Sequence, residues 1–143
     1  MLLFLAAFGL FMHFPAQCSA ASSPALFHDF TFINNCADPI YVGALAAPGQ
    51  PLPRSGGWRQ DPGTMSTVPI PRGWTAGRFW GRTGCVFDEA GQGRCQTGDC
   101  GGKLECNGAG GATPATLAEF TLDAAGAGNQ DFYDVSLVDG HNV

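Results

Sequence analysis

An all-β fold of short strands, a sandwich or a barrel, is the fold class this sequence predicts, and three observations predict it. β-Branched and aromatic residues gather in short runs, several of them alternating apolar with polar. The runs are separated by turn residues, with 21 glycines and 10 prolines in a chain of 143, a density that punctuates strands and breaks helices. Beyond the N-terminal stretch, no segment carries the apolar spacing of an amphipathic helix.

The elements follow in order. Residues 1–20 open MLLFLAAFGLFMHFPAQCSA. Their apolar core, residues 2–12, has the length of a signal-peptide hydrophobic region and is too short to span a bilayer. Cys18-Ser19-Ala20 offers a small-x-small cleavage site. The expectation is a signal peptide over 1–20, one domain over 21–143, and a secreted product with no integral membrane segment after processing. FTFIN (30–34) and IYVGALAA (40–47) read as strands flanking a turn at Cys36–Pro39. Residues 48–63 are too proline-rich for a central strand and read as loop or edge. TMSTVPI (64–70) reads as an edge strand. In TAGRFWGRT (75–83), alternation places Arg78, Trp80 and Arg82 on one face. Residues 107–115 read as loop. In TLAEFTLD (116–123), Ala118, Phe120 and Leu122 face one way and Glu119, Thr121 and Asp123 the other. AAGAGNQ (124–130) is a turn before the last strand, FYDVSLV (132–138).

Between these strands lies GQGRCQTGDCGGKLEC, residues 91–106. With Cys18 removed alongside the signal, Cys36, Cys85, Cys95, Cys100 and Cys106 remain. The spacing lacks the paired C-x2-C ligands of a structural zinc site, and no histidine falls within the stretch. An exported chain favours disulfides over reactive thiols. Four clustered cysteines allow three connectivities; pairing nearest neighbours closes two small glycine-rich loops, each stabilising by roughly 2–3 kcal/mol on a chain-entropy basis. The odd count leaves one cysteine without a partner in this chain. Asp99, set between two cysteines, reads as an acceptor that caps loop N–H groups.

Chemistry is sought among the carboxylates. Glu119 projects from the polar face of its strand, Asp134 sits in the next strand, and Asp139 opens an Asp-Gly turn. If the two strands are antiparallel neighbours, Glu119 and Asp134 share a surface, and paired carboxylates are what glycoside hydrolysis requires, one as acid and one as nucleophile or base. The competing reading is that they are solubilising residues at a sheet edge. A net charge of −5, from 7 basic and 12 acidic residues, argues against nucleic acid or anionic membranes as partners. No Asn-x-Ser/Thr site occurs.

The cysteine stretch, read as Gly-x-Gly-x-Cys-x-Thr-Gly-Asp-Cys-Gly-Gly-x-x-x-Cys, resembles the signature of thaumatin-like proteins, the fifth group of plant pathogenesis-related proteins. FTFINNC (30–36), GRFWGRTGCVFD (77–88), TLAEF (116–120) and DFYDVSLVDGHNV (131–143) agree with it in order and spacing. The resemblance implies a thaumatin-like antiparallel β-sandwich with disulfides Cys85–Cys95 and Cys100–Cys106. It also implies that Cys36 is unpaired in this chain, because its usual partner lies in a second, disulfide-rich half. The sequence is therefore read as the N-terminal portion of such a domain, incomplete at the C-terminus, and the complete form is expected to be a monomer. Without later strands, exposed sheet edges and disulfide-linked dimers through Cys36 are expected.

The family's acidic cleft is lined by one arginine, one glutamate and three aspartates. Matched motif by motif, these correspond to Arg78, Glu119, Asp134 and Asp139, the third aspartate lying beyond Val143. Glu119 and Asp134 are the pair to which a catalytic role would fall. The Ala/Gly-rich turn between them is slightly longer than usual in the family. The implied function is antifungal defence in the apoplast by binding fungal β-1,3-glucan or another cell-wall polysaccharide. Inhibition of microbial glycoside hydrolases such as xylanases, or weak endo-β-1,3-glucanase activity, are the alternatives. No cofactor and no metal are implied.

Overall fold

A computed structural model describes residues 26–143; the expected signal peptide, residues 1–20, lies outside the described residues. Among the described residues nine strands form three antiparallel sheets: β1 (Phe27–Ile33), β2 (Ile40–Leu45), β3 (Gly57–Gln60), β4 (Met65–Pro71), β5 (Gly77–Arg82), β6 (Val86–Phe87), β7 (Gly93–Arg94), β8 (Leu117–Ala124) and β9 (Gln130–Ser136). Five of them make the main sheet in the order β3-β2-β5-β8-β9, and β1 pairs with β4 in a two-stranded layer. The proline-rich stretch read as loop or edge supplies β3, which is an edge strand of the main sheet. The short β6-β7 hairpin was not foreseen; it lies between Cys85 and Cys95. Among the described residues no helix is long and apolar enough to cross a membrane.

The main sheet has two differently covered faces. One packs against β1-β4. Alternation in β1 turns Phe30 and Phe32 inward, where their rings meet Phe79, Trp58 and Phe120 at centroid distances of 4.9–5.9 Å, mostly edge to face as ring quadrupoles favour. Val42, Ala44, Val68, Ile70, Trp74 and Leu122 complete this core.

The opposite face is roofed over part of its length by residues 85–116. The disulfides Cys85–Cys95 and Cys100–Cys106 form, and Cys36 is exposed and free. Asp99 caps the loop as its setting implied, its carboxylate accepting from Cys95 N at 2.9 Å and Gly102 N at 2.7 Å. Under this roof Trp80, Cys100, Cys106, Ala115 and Leu117 form a second core. Trp80 donates to Gly98 O at 2.8 Å and lies flat over Gly43, where a Cβ would fall 2.3 Å from the indole.

Arg82 bolts the roof to the sheet. It is fully buried, and its guanidinium donates to Tyr41 O (3.3 Å) and Val42 O (3.1 Å) in β2 and to Lys103 O (2.8 Å) and Leu104 O (2.7 Å) in the roof. Removal from water pushes its pKa down to about 10, the direction expected when burial penalises a cation.

Beyond β9 the chain turns at Leu137–Gly140 and returns to the sheet. Asn142 secures it, donating to Gly81 O and Thr97 Oγ1 and accepting from Thr116 N, each at 2.8 Å.

Candidate functional site: an open groove on the main sheet

Where the roof ends, the same sheet face is open. Register fixes what it presents: Leu45 of β2 pairs with Arg78 of β5, Arg78 with Glu119 of β8, and Glu119 with Asp134 of β9. Directly opposed residues share a face, so arginine, glutamate and aspartate stand in one row across three strands. β8 and β9 are antiparallel neighbours, which is the arrangement that lets the two carboxylates gather. The Ala/Gly-rich turn leaves this pair in register. Its irregularity is confined to a bulge between Thr121 and Ala124.

The row forms the floor of a groove of about 810 Å³, whose further lining includes residues 45–50, Leu52, Ala76, Gly77, Gly108, Phe120, Thr121 and Phe132. Arg78 and Glu119 are half-buried and Asp134 is exposed. The ion pairs among the described residues are His28–Asp123, Arg59–Asp61 and Arg72–Asp123. Arg78, Glu119 and Asp134 join none of them. The three charged groups face the groove with their hydrogen-bonding capacity unspent.

The fourth residue of the sequence-derived set is not brought here. Asp139 follows β9 in the Leu137–Gly140 turn, where its carbonyl accepts from Ala115 N at 3.0 Å, and it does not line the groove. The turn packs on the loop before β8; Gly140, at φ +95°, has Pro114 where a side chain would begin. Asp123 also leaves the face that alternation assigned to it. The bulge sets it at φ +48°, and its carboxylate meets Arg72 Nε at 3.0 Å, His28 Nε2 at 2.8 Å and Gly73 N at 3.1 Å. The arginine hydrogen bond, then that of His28, holds this carboxyl well below the usual range. Trp80, two residues from Arg78, is core and not groove.

Sequence reasoning passed over Phe132, Thr121 and Gln50, which line the groove. For Phe132 the signal was available: it has the same parity as Asp134 in β9 and therefore the same face.

The Thaumatin family profile matches residues 34–143. The chain belongs to the thaumatin family. It is 57% identical over 115 residues to pathogenesis-related protein 5 of Arabidopsis thaliana, covering 80% of this chain and 46% of that protein. It is 51% identical over 112 residues to a thaumatin-like protein of Arabidopsis thaliana, covering 78% of this chain and 44% of that one. Among solved structures it is similar to a thaumatin-like xylanase inhibitor, with a TM-score of 0.62, 35% identity, and coverage of 78% of this chain and 70% of that chain. The chain thus spans about half the length of the curated relatives it matches. The all-β fold and the family resemblance read from the sequence both hold.

Proposed function

We propose that this chain supplies the glycan-binding surface of a secreted pathogenesis-related defence protein, and that the ligand is a fungal cell-wall β-1,3-glucan. The observation that carries the reading is the row Arg78, Glu119 and Asp134, aligned across three strands and left without protein partners in an open groove. Carboxylates accept hydrogen bonds from sugar hydroxyls, a guanidinium donates to hydroxyl and ring oxygens, and charge-assisted bonds of this kind are the stronger class. A neutral polysaccharide also suits a chain of net charge −5, which repels polyanions. The relatives named as pathogenesis-related proteins favour the defence setting.

Pull-down on insoluble β-1,3-glucan tests this. Wild type is retained, and the double variant Glu119→Gln/Asp134→Asn elutes early; equal retention of the two removes the groove from the reading. Reducing-sugar release from laminarin separates binding from hydrolysis. A binding protein releases none, whereas a weak endo-β-1,3-glucanase with Glu119 as acid and Asp134 as nucleophile does so and loses the activity in the same variant.

The likeness to a xylanase inhibitor favours a second reading, in which surface loops dock on a microbial glycoside hydrolase. Stoichiometric loss of xylanase activity, undisturbed by the double variant, would single it out.

A further inference from the structure

Resting on the glycan-binding reading, we infer that Phe132 is the stacking platform of the groove and orients a pyranose ring over the carboxylate pair. Three observations lead there. First, Phe132 is about half exposed (51%), on an edge strand open to solvent along nearly its whole length. Second, it is directly opposite Thr121 and two residues from Asp134, so its ring shares the face that carries Glu119 and Asp134. Third, it lines the same groove as Arg78, Gln50 and Thr121.

The chemistry is complementary to a sugar. A β-linked pyranose has a flat face of axial C–H groups and a rim of equatorial hydroxyls. The C–H face lies on the electron-rich face of an aromatic ring and withdraws apolar surface from water. The rim then reaches the polar groups beside the ring: Thr121 hydroxyl and Gln50 amide, which both donate and accept, and the Glu119 and Asp134 carboxylates, which accept. Two χ angles fix the phenylalanine ring, so little conformational freedom is lost on binding. A polyanion would be repelled by the two carboxylates. Phe132 therefore selects neutral glycans whose pyranose unit presents an axial C–H face and sets the register of the chain, while the charged row sets its hydroxyl pattern.

The test compares soluble β-1,3-gluco-oligosaccharide binding by wild type, Phe132→Ala, Phe132→Tyr and Phe132→Trp, with thermal unfolding measured in parallel. Uncovering one face of a ring costs roughly tenfold in affinity on the area scale, so Phe132→Ala is expected to bind about tenfold more weakly while Phe132→Tyr stays close to wild type. Because Phe132 lies on an edge strand and is half exposed, unfolding should be little changed. The new indole of Phe132→Trp should shift or quench its emission at saturating ligand relative to wild type, a readout that survives even where the alanine variant folds poorly. Wild-type binding with an unaffected Phe132→Ala, or a silent indole in a Phe132→Trp that still binds, overturns the platform and leaves the glycan reading standing. A wild type that binds no β-glucan overturns both.

Discussion

Replacing Arg82 by methionine should destabilise the fold by about 3–5 kcal/mol, and the magnitude can be worked from its contacts. The guanidinium serves four backbone carbonyls, two in β2 and two in the disulfide roof. The two β2 carbonyls are buried and the two in the roof part-buried; at about 2–3 kcal/mol for each buried acceptor stripped of a donor and about 1 kcal/mol for each part-buried one, the loss is roughly 6–8 kcal/mol. Methionine returns part of this, because it removes a cation whose pKa is depressed from 12.5 to about 10; at about 1.4 kcal/mol per pKa unit this relief is about 3 kcal/mol. The acceptors win because the two in β2 remain buried after the cation has gone. Urea unfolding at pH 7 with disulfides intact, checked by non-reducing mass spectrometry, measures the difference. For a domain of this size the midpoint temperature should fall by roughly 10–20 °C. A loss below about 1 kcal/mol would refute the view that Arg82 fastens the roof to the sheet, and would mean that the disulfides and Trp80 suffice.

Other consequences follow from the same coordinates. Glu119 and Asp134 are like charges directly opposite one another, and Glu119 alone has Arg78 opposite it on its other side, so Asp134→Asn should raise stability in chemical denaturation by about 0.2–1 kcal/mol even as glycan retention falls; a loss of stability would show that the carboxylate serves the fold. Gly43→Ala places a methyl 2.3 Å from the Trp80 indole and should cost about 1–3 kcal/mol by overpacking, with altered near-UV circular dichroism as Trp80 shifts. Asp123 has its carboxyl pKa depressed by Arg72 and His28. Its contribution is complete above the ordinary carboxylate value of 3.8 and is lost as pH falls below that value toward the folded-state pKa. An Asp123→Asn variant should therefore show a flatter acid limb in thermal melts between pH 4 and pH 2; superimposable limbs would contradict this.

Much of the fold was legible because apolar alternation survives in β1 and β8, where one face packs into the core. Phe30 and Phe32 or Ala118 and Phe120 declare a core without any knowledge of the partner strand. The glycine- and proline-rich segments were not legible in the same way. β3, β6 and β7 are short; β3 pairs with β2 at the sheet edge, and the β6-β7 hairpin is closed by Cys85–Cys95, so propensity alone does not mark them. The three residues Arg78, Trp80 and Arg82 show where local pattern ends. Alternation puts all three on one face correctly, yet one lines an open groove, one is core and one is a buried bolt. What distinguishes them is how far the disulfide roof extends, a long-range fact that no window of sequence contains. Asp123 and Asp139 left their anticipated positions for related reasons. A bulge reverses the first, and packing of the Leu137–Gly140 turn on Pro114 carries the second away from the row. Glu119 and Asp134 remained together because strand pairing fixes them.

The central claim is that the charged row and Phe132 form the glycan-contacting surface. An NMR titration of the 15N-labelled chain with a β-1,3-gluco-oligosaccharide tests it most directly. Amide shifts should concentrate at Arg78, Glu119, Thr121, Phe132 and Asp134, with residues 85–106 undisturbed. Shifts that instead gather on the disulfide roof, or none at saturating sugar, would contradict it.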